Sequence, residues 1–245
     1  MRTSNPSLNS KTFERAAPGT GVMTIGGTVN KVGILLLLML VPASYMWNKV
    51  LTAWEPSQAM GPALLGALGA FVVAMITIFK KTWAPVTAPL YAVLEGLFLG
   101  AISGVMNMAY PGIAMQAIAL TIGVLFTLLL AYRSGLIRAT ENFKLGVVAA
   151  TGGIAMLYLV NIVMGFFGAR IPFIHESGTV GILFSLFVVV IAALNLVLDF
   201  DFIEQGAEAG APKYMEWYAA FGLMVTLVWL YLEILRLLAK LQSRD

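Results

Sequence analysis

The chain contains no cysteine and only one histidine, His175, in 245 residues. Without cysteine it can form no disulfide, thiol nucleophile or thiolate metal site. A single histidine excludes a multi-histidine metal site within one chain. Charge is also scarce: 11% of residues are Asp, Glu, Lys or Arg, against about a quarter in an ordinary soluble domain. No Walker-type phosphate loop, zinc-protease motif or nucleophile elbow is present. Thr24-Ile25-Gly26-Gly27 has no strand pattern before it and is not a phosphate loop. No nucleic-acid partner and no resident cofactor are expected.

Apolar length dominates what remains. Hydrophobic residues make up 60% of the chain, and the mean hydropathy is +0.88. A span needs roughly 20 apolar residues to cross hydrocarbon. Seven stretches qualify, at about 32–53, 61–79, 85–108, 111–132, 145–168, 178–200 and 214–238. The expected fold is all-α, a polytopic seven-helix bundle over 29–245 with the bilayer as its first partner. Residues 1–28 are polar and rich in Ser, Thr and Gly. They lack the compact apolar core and small-residue cleavage site of a secretory signal, and are expected to form a disordered tail.

Basic residues set the orientation. Placing the N-terminus in the cytoplasm puts Arg2, Lys11, Arg15, Lys31, Lys80, Lys81, Arg133, Arg138, Lys144 and Lys213 inside, and leaves Lys49 and Arg170 outside. Seven spans put the C-terminal end outside with Arg236, Lys240 and Arg244, against the trend.

The carboxylates are the candidate chemistry. Asp199, Asp201, Glu204 and Glu208 fall within LNLVLDFDFIEQGAEAGAPK, at the end of the sixth span and the expected cytoplasmic edge. A charge at the edge of hydrocarbon is costly unless solvated, paired or protonated. Asn195 and Asp199 are four apart and share a helix face, which Ala192 and Ser185 extend. Asp201 points nearly the opposite way and groups with Glu204 and Glu208, as a solvated surface would. Glu95 lies near the middle of the third span, before a Gly96, Gly100, Gly104 stripe that permits close helix packing. It reads either as an ion or proton relay or as a protonated group bonded to a neighbouring helix. Glu216 opens the seventh span beside Trp217 and Tyr218, where it suits the positive end of the helix dipole. Glu233 and Arg236 are three apart and can pair; Thr226 lies seven residues before Glu233 on about the same face. Asn107 and Asn161 read as interhelical or interfacial hydrogen-bonding groups, and His175 beside Glu176 as a loop residue.

LVLDFDFIE, a short acidic turn, then PKYMEWYAAFGLMVTLVWLYLEILRLL, together with YAVLEGLFLGAIS in the third span, resemble the Bax inhibitor-1 family of membrane proteins, and within it the bacterial YccA-like branch. The resemblance runs from about residue 30 to the end. It implies six helices around a central seventh, a bacterial inner-membrane location and a pH-sensitive calcium leak. It also implies that an aspartate ending the sixth helix pairs with one in the seventh. Asp199 occupies the first position and is the expected calcium contact. The second falls in Gly222-Leu223-Met224-Val225-Thr226-Leu227, which has no carboxylate. Asp201, Glu216 and Glu95 are the candidates to stand in, with Asn195 and Thr226 as supporting polar groups. The alternative is a non-transporting regulator that binds a membrane protease or another membrane complex. No enzymatic activity is expected: an intramembrane carboxylate pair needs two deep, facing groups, and only Glu95 is deep by position.

Overall fold

The computed structural model describes residues 21–52, 57–168 and 178–243. Seven long helices lie within these residues: α1 Ile25–Thr52, α2 Ser57–Phe79, α3 Ala84–Ala109, α4 Ile113–Arg133, α5 Glu141–Phe166, α6 Thr179–Glu208 and α7 Met215–Gln242. Each is long and apolar enough to cross a membrane. Among the described residues the only β pairing is one isolated bridge, Val22 to Pro212. The fold is all-α, as the apolar runs require.

The helices outrun the apolar stretches at several ends because polar caps carry them past the hydrocarbon length. Thr140 accepts a hydrogen bond from the Phe143 backbone and starts α5 at Glu141, a turn before the apolar run. The sixth helix, expected to end near Phe200, continues to Glu208. Gly210, with φ +65°, follows its end. Asp199 therefore lies nine residues, about 13 Å, inside the helix end rather than at it. Residues 21–28, expected as part of the tail, are built in. Met23 is buried, its N–H donates to the Ala211 carbonyl, and α1 has already begun at Ile25. The expected tail over 1–20 and the His175–Glu176 pair lie outside the described residues.

The chain forms two compact units. The first comprises residues up to Ala114 together with Asp201–Val225. Within it α1 packs closely on α3 along the glycine stripe. A Cβ on Gly96 would strike the Met39 carbonyl oxygen, one on Gly100 the Ala43 backbone, and one on Gly104 would meet Val50 at 3.0 Å. Gly66 brings α2 equally near, its Cβ position being 2.7 Å from the Leu94 carbonyl oxygen. Lipid tails give little hydrophobic drive between helices, so such close backbone approach supplies the van der Waals contact that holds them. The core gathers Leu35, Val73, Tyr91, Phe221 and Met224, with Tyr91 and Phe221 edge to face at 5.0 Å.

The second unit comprises Met115–Phe200 and Thr226–Asp245. Its core is Ile154, Val188 and Ile191, with Tyr158, Phe184 and Trp229 packed against it. Large apolar side chains such as Leu65, Phe71, Leu130 and Phe166 are exposed in both units, which suits a hydrocarbon surrounding.

Candidate functional site

Asp199 is a carboxyl on the apolar helix α6, in the second unit. The Thr226 hydroxyl of α7 donates to it. Its Oδ2 is enclosed and has no hydrogen-bond partner among the described residues. A buried acceptor left so must be met by a proton, a water or a cation. One turn earlier, the Asn195 amide donates to the Thr151 hydroxyl of α5 and to the Ile191 carbonyl, both at 2.8 Å. The shared face read from the i, i+4 spacing thus carries a polar row, ending at a carboxyl with one oxygen unpartnered among the described residues. Ser185, farther along that face, is also buried with its hydroxyl unpartnered.

The residue bonded to Asp199 from α7 is a threonine. It lies in the 222–227 segment that lacks a carboxylate, so among the described residues of this unit the bonded pair is one acid and one hydroxyl. Such a pair carries a single titratable proton, whereas two acids sharing a site titrate jointly.

The other acidic candidates belong to the first unit. Asp201 belongs to the first unit, is half-buried and accepts a hydrogen bond from Gln205; Glu204 and Glu208 are exposed on the same helix. Glu95 is buried on α3 of the first unit, one turn from Tyr91.

Glu216 has a structural task that the sequence did not reveal. Thr24 caps α1, accepting from the Gly27 backbone N–H at 3.0 Å. In a capping box, the third helical residue is a Glu that returns to the cap's own N–H. That position here is Gly27, and Glu216 of α7 supplies the carboxylate instead. Its Oε1 accepts from the Thr24 N–H and the Thr24 hydroxyl, each at 3.0 Å, and from Lys213 Nζ at 2.7 Å. Lys31 lies 3.8 Å from Oε2. A Cβ on Gly27 would overlap this carboxylate, which is why glycine stands there. Beyond facing its own helix dipole, Glu216 closes the start of α1 onto the start of α7.

Glu233 and Arg236 pair as their spacing suggests, at 3.0 Å to each carboxylate oxygen. Sequence spacing did not show Tyr158, 75 residues away, whose hydroxyl also donates to Glu233 Oε1 at 3.0 Å. No local signal marks a partner at that separation.

Seven spanning helices with carboxyl and hydroxyl groups set into their apolar interior define a polytopic integral membrane protein. The family model for Bax inhibitor 1 like proteins matches residues 5–243, and the chain belongs to that family. Neither the comparison with curated proteins nor that with solved structures returned a match.

Proposed function

We propose that this protein is a non-enzymatic, pH-modulated calcium leak, with Asp199 as the group that senses protons and contacts the ion. The observation behind this reading is the enclosed Asp199 carboxyl, held by Thr226 on one side and left with an unpartnered Oδ2. Ionised, the carboxyl is an acceptor and a hard oxygen ligand of the kind calcium takes. Protonated, it becomes a donor and loses that affinity. Proton uptake therefore exchanges one occupant of Oδ2 for another and alters the α6–α7 contact at Thr226.

The reading places the protein in the bacterial inner membrane with its N-terminus in the cytoplasm. Two basic residues that weigh against an outer C-terminus belong to α7 itself. Arg236 is paired with Glu233, and Lys240 is buried with Nζ donating to the Gly181 carbonyl at 3.0 Å. Neither acts as a loop charge, so neither opposes that orientation.

The test is calcium flux in proteoliposomes across a pH series. Wild type leaks in a pH-dependent way, and Asp199→Asn loses that dependence. A leak with the same pH profile in the variant would remove Asp199 from the mechanism. No flux at any pH, with a membrane protease co-purifying, would replace the leak by the regulatory role.

A further inference from the structure

One face of α7 carries polar groups at a strict seven-residue interval: Thr226, Glu233 and Lys240. Each step is about 10.5 Å along the axis with little rotation. All three are buried, and each has its partner in the second unit: Asp199 for Thr226, Tyr158 for Glu233 and the Gly181 carbonyl for Lys240. On α6 the same interval runs Asp199, Ala192, Ser185, the last two small and buried. The polar face described at Asp199 thus continues along the helix pair.

Its middle position is unlike the others. Glu233 is an enclosed carboxylate whose side chain is 2% exposed, while that of its partner Arg236 is 41% exposed. Arg236 Nη1 reaches both carboxylate oxygens at 3.0 Å and donates to the Tyr158 hydroxyl at 2.6 Å. Its guanidinium lies 5.2 Å over the Tyr158 ring. The cation of the pair has a route to the surroundings and the anion has none. If Arg236 swings away, it leaves a buried carboxylate beside a phenolic oxygen, and such a charge does not stay uncompensated. A hard cation satisfies both oxygens.

We propose that Glu233 and Tyr158 form a second cation-contacting station, which Arg236 occupies and holds closed in this conformation. The role in permeation rests on the leak reading above; cation binding at the station does not. A conducted ion would meet Asp199 at one level and Glu233 at another, with the guanidinium displaced before it passes.

Terbium luminescence tests the station directly. Tb3+ takes calcium-type oxygen ligands, and Trp229, one turn before Glu233, is placed to sensitise it. The measurements use purified full-length protein. Arg236→Gln is expected to tighten Tb3+ binding at least about tenfold over wild type, the factor that corresponds to about 1.4 kcal/mol of lost competition. Adding Glu233→Gln abolishes the gain, and adding Trp229→Phe dims the emission without weakening binding. Arg236→Lys keeps the charge but loses the two-oxygen contact, so its affinity falls between. It carries the test alone if Arg236→Gln does not fold. In vesicles, calcium flux rises by a similar factor in Arg236→Gln and returns to the wild-type level in the double variant. Equal Tb3+ binding in wild type, Arg236→Lys and Arg236→Gln, or a gain that survives Glu233→Gln, overturns the station. The terbium result decides the site whether or not the vesicles leak, so a failure of the leak reading is seen separately in wild-type flux.

Discussion

Replacing Gly27 with alanine should change sign depending on what stands at position 216. Alanine is the better helix former by about 1 kcal/mol, so at an unobstructed site the substitution stabilises. Here the new Cβ falls on the Glu216 carboxylate, which must leave. Its departure forfeits the two Thr24 bonds at 3.0 Å and the Lys213 contact at 2.7 Å. Hydrogen bonds to a buried charged group are worth about 1.5–3 kcal/mol each. The Lys213 side chain is 54% exposed, so its contact counts only at the surface-pair level of about 0–1 kcal/mol. Allowing for water that reaches the freed groups, Glu216→Ala should cost about 2–4 kcal/mol, and Gly27→Ala about 1–3 after its propensity gain. With Glu216 already removed, the space at Gly27 is open and alanine should stabilise by about 0.5–1 kcal/mol. A double-mutant cycle, read from equilibrium unfolding of the purified protein in mixed micelles titrated with SDS, measures the coupling. Equal effects of Gly27→Ala in both backgrounds, within about 0.5 kcal/mol, would show that Glu216 does not complete the α1 cap.

Two further outcomes follow from the packing and from Thr226. Gly100→Val drives side-chain atoms into the Ala43 backbone, which cannot rotate aside, and should lower stability by about 3 kcal/mol or more; Gly33→Ala, in open space on α1, should instead stabilise by about 0.5–1 kcal/mol, and thermal unfolding compares them. Thr226→Asp sets a second carboxyl against Asp199, so the pH profile of calcium flux should separate into two steps, collapsing to one when Asp199→Asn is added.

The same chemistry explains how Asp199 and Glu216 came to differ. Both are acidic residues near the junction of the last two helices in sequence. Each keeps one carboxylate oxygen without a hydrogen bond, but Asp199 meets one neutral hydroxyl, whereas Glu216 meets two lysines and a helix start. On the proposed reading, the first arrangement leaves a group able to exchange protons or ions. The second spends the charge on holding α1 in place.

Much of the architecture was legible in the chain because hydrocarbon imposes a length. Seven apolar runs of sufficient span appear as seven helices, and the stripe of Gly96, Gly100 and Gly104 marks a close helix contact before any partner is known. The three-residue spacing of Glu233 and Arg236 gives their pairing, and the four-residue spacing of Asn195 and Asp199 gives their common face. These follow from the regular rise and turn of a helix, which the sequence carries locally. What it could not carry is which distant groups meet. Tyr158 reaching Glu233, Thr151 reaching Asn195, Thr226 facing Asp199 and Glu216 completing the cap at Thr24 all join residues many turns apart. Each depends on the register of one helix against another, and that register is set by summed packing rather than by any local pattern. The extension of α6 to Glu208 is of the same kind, since Asp and Glu end an apolar run without ending a helix. The seven-span, all-helical character was therefore fixed by composition and periodicity. The identity of each buried charge's partner was decided only when the helices packed.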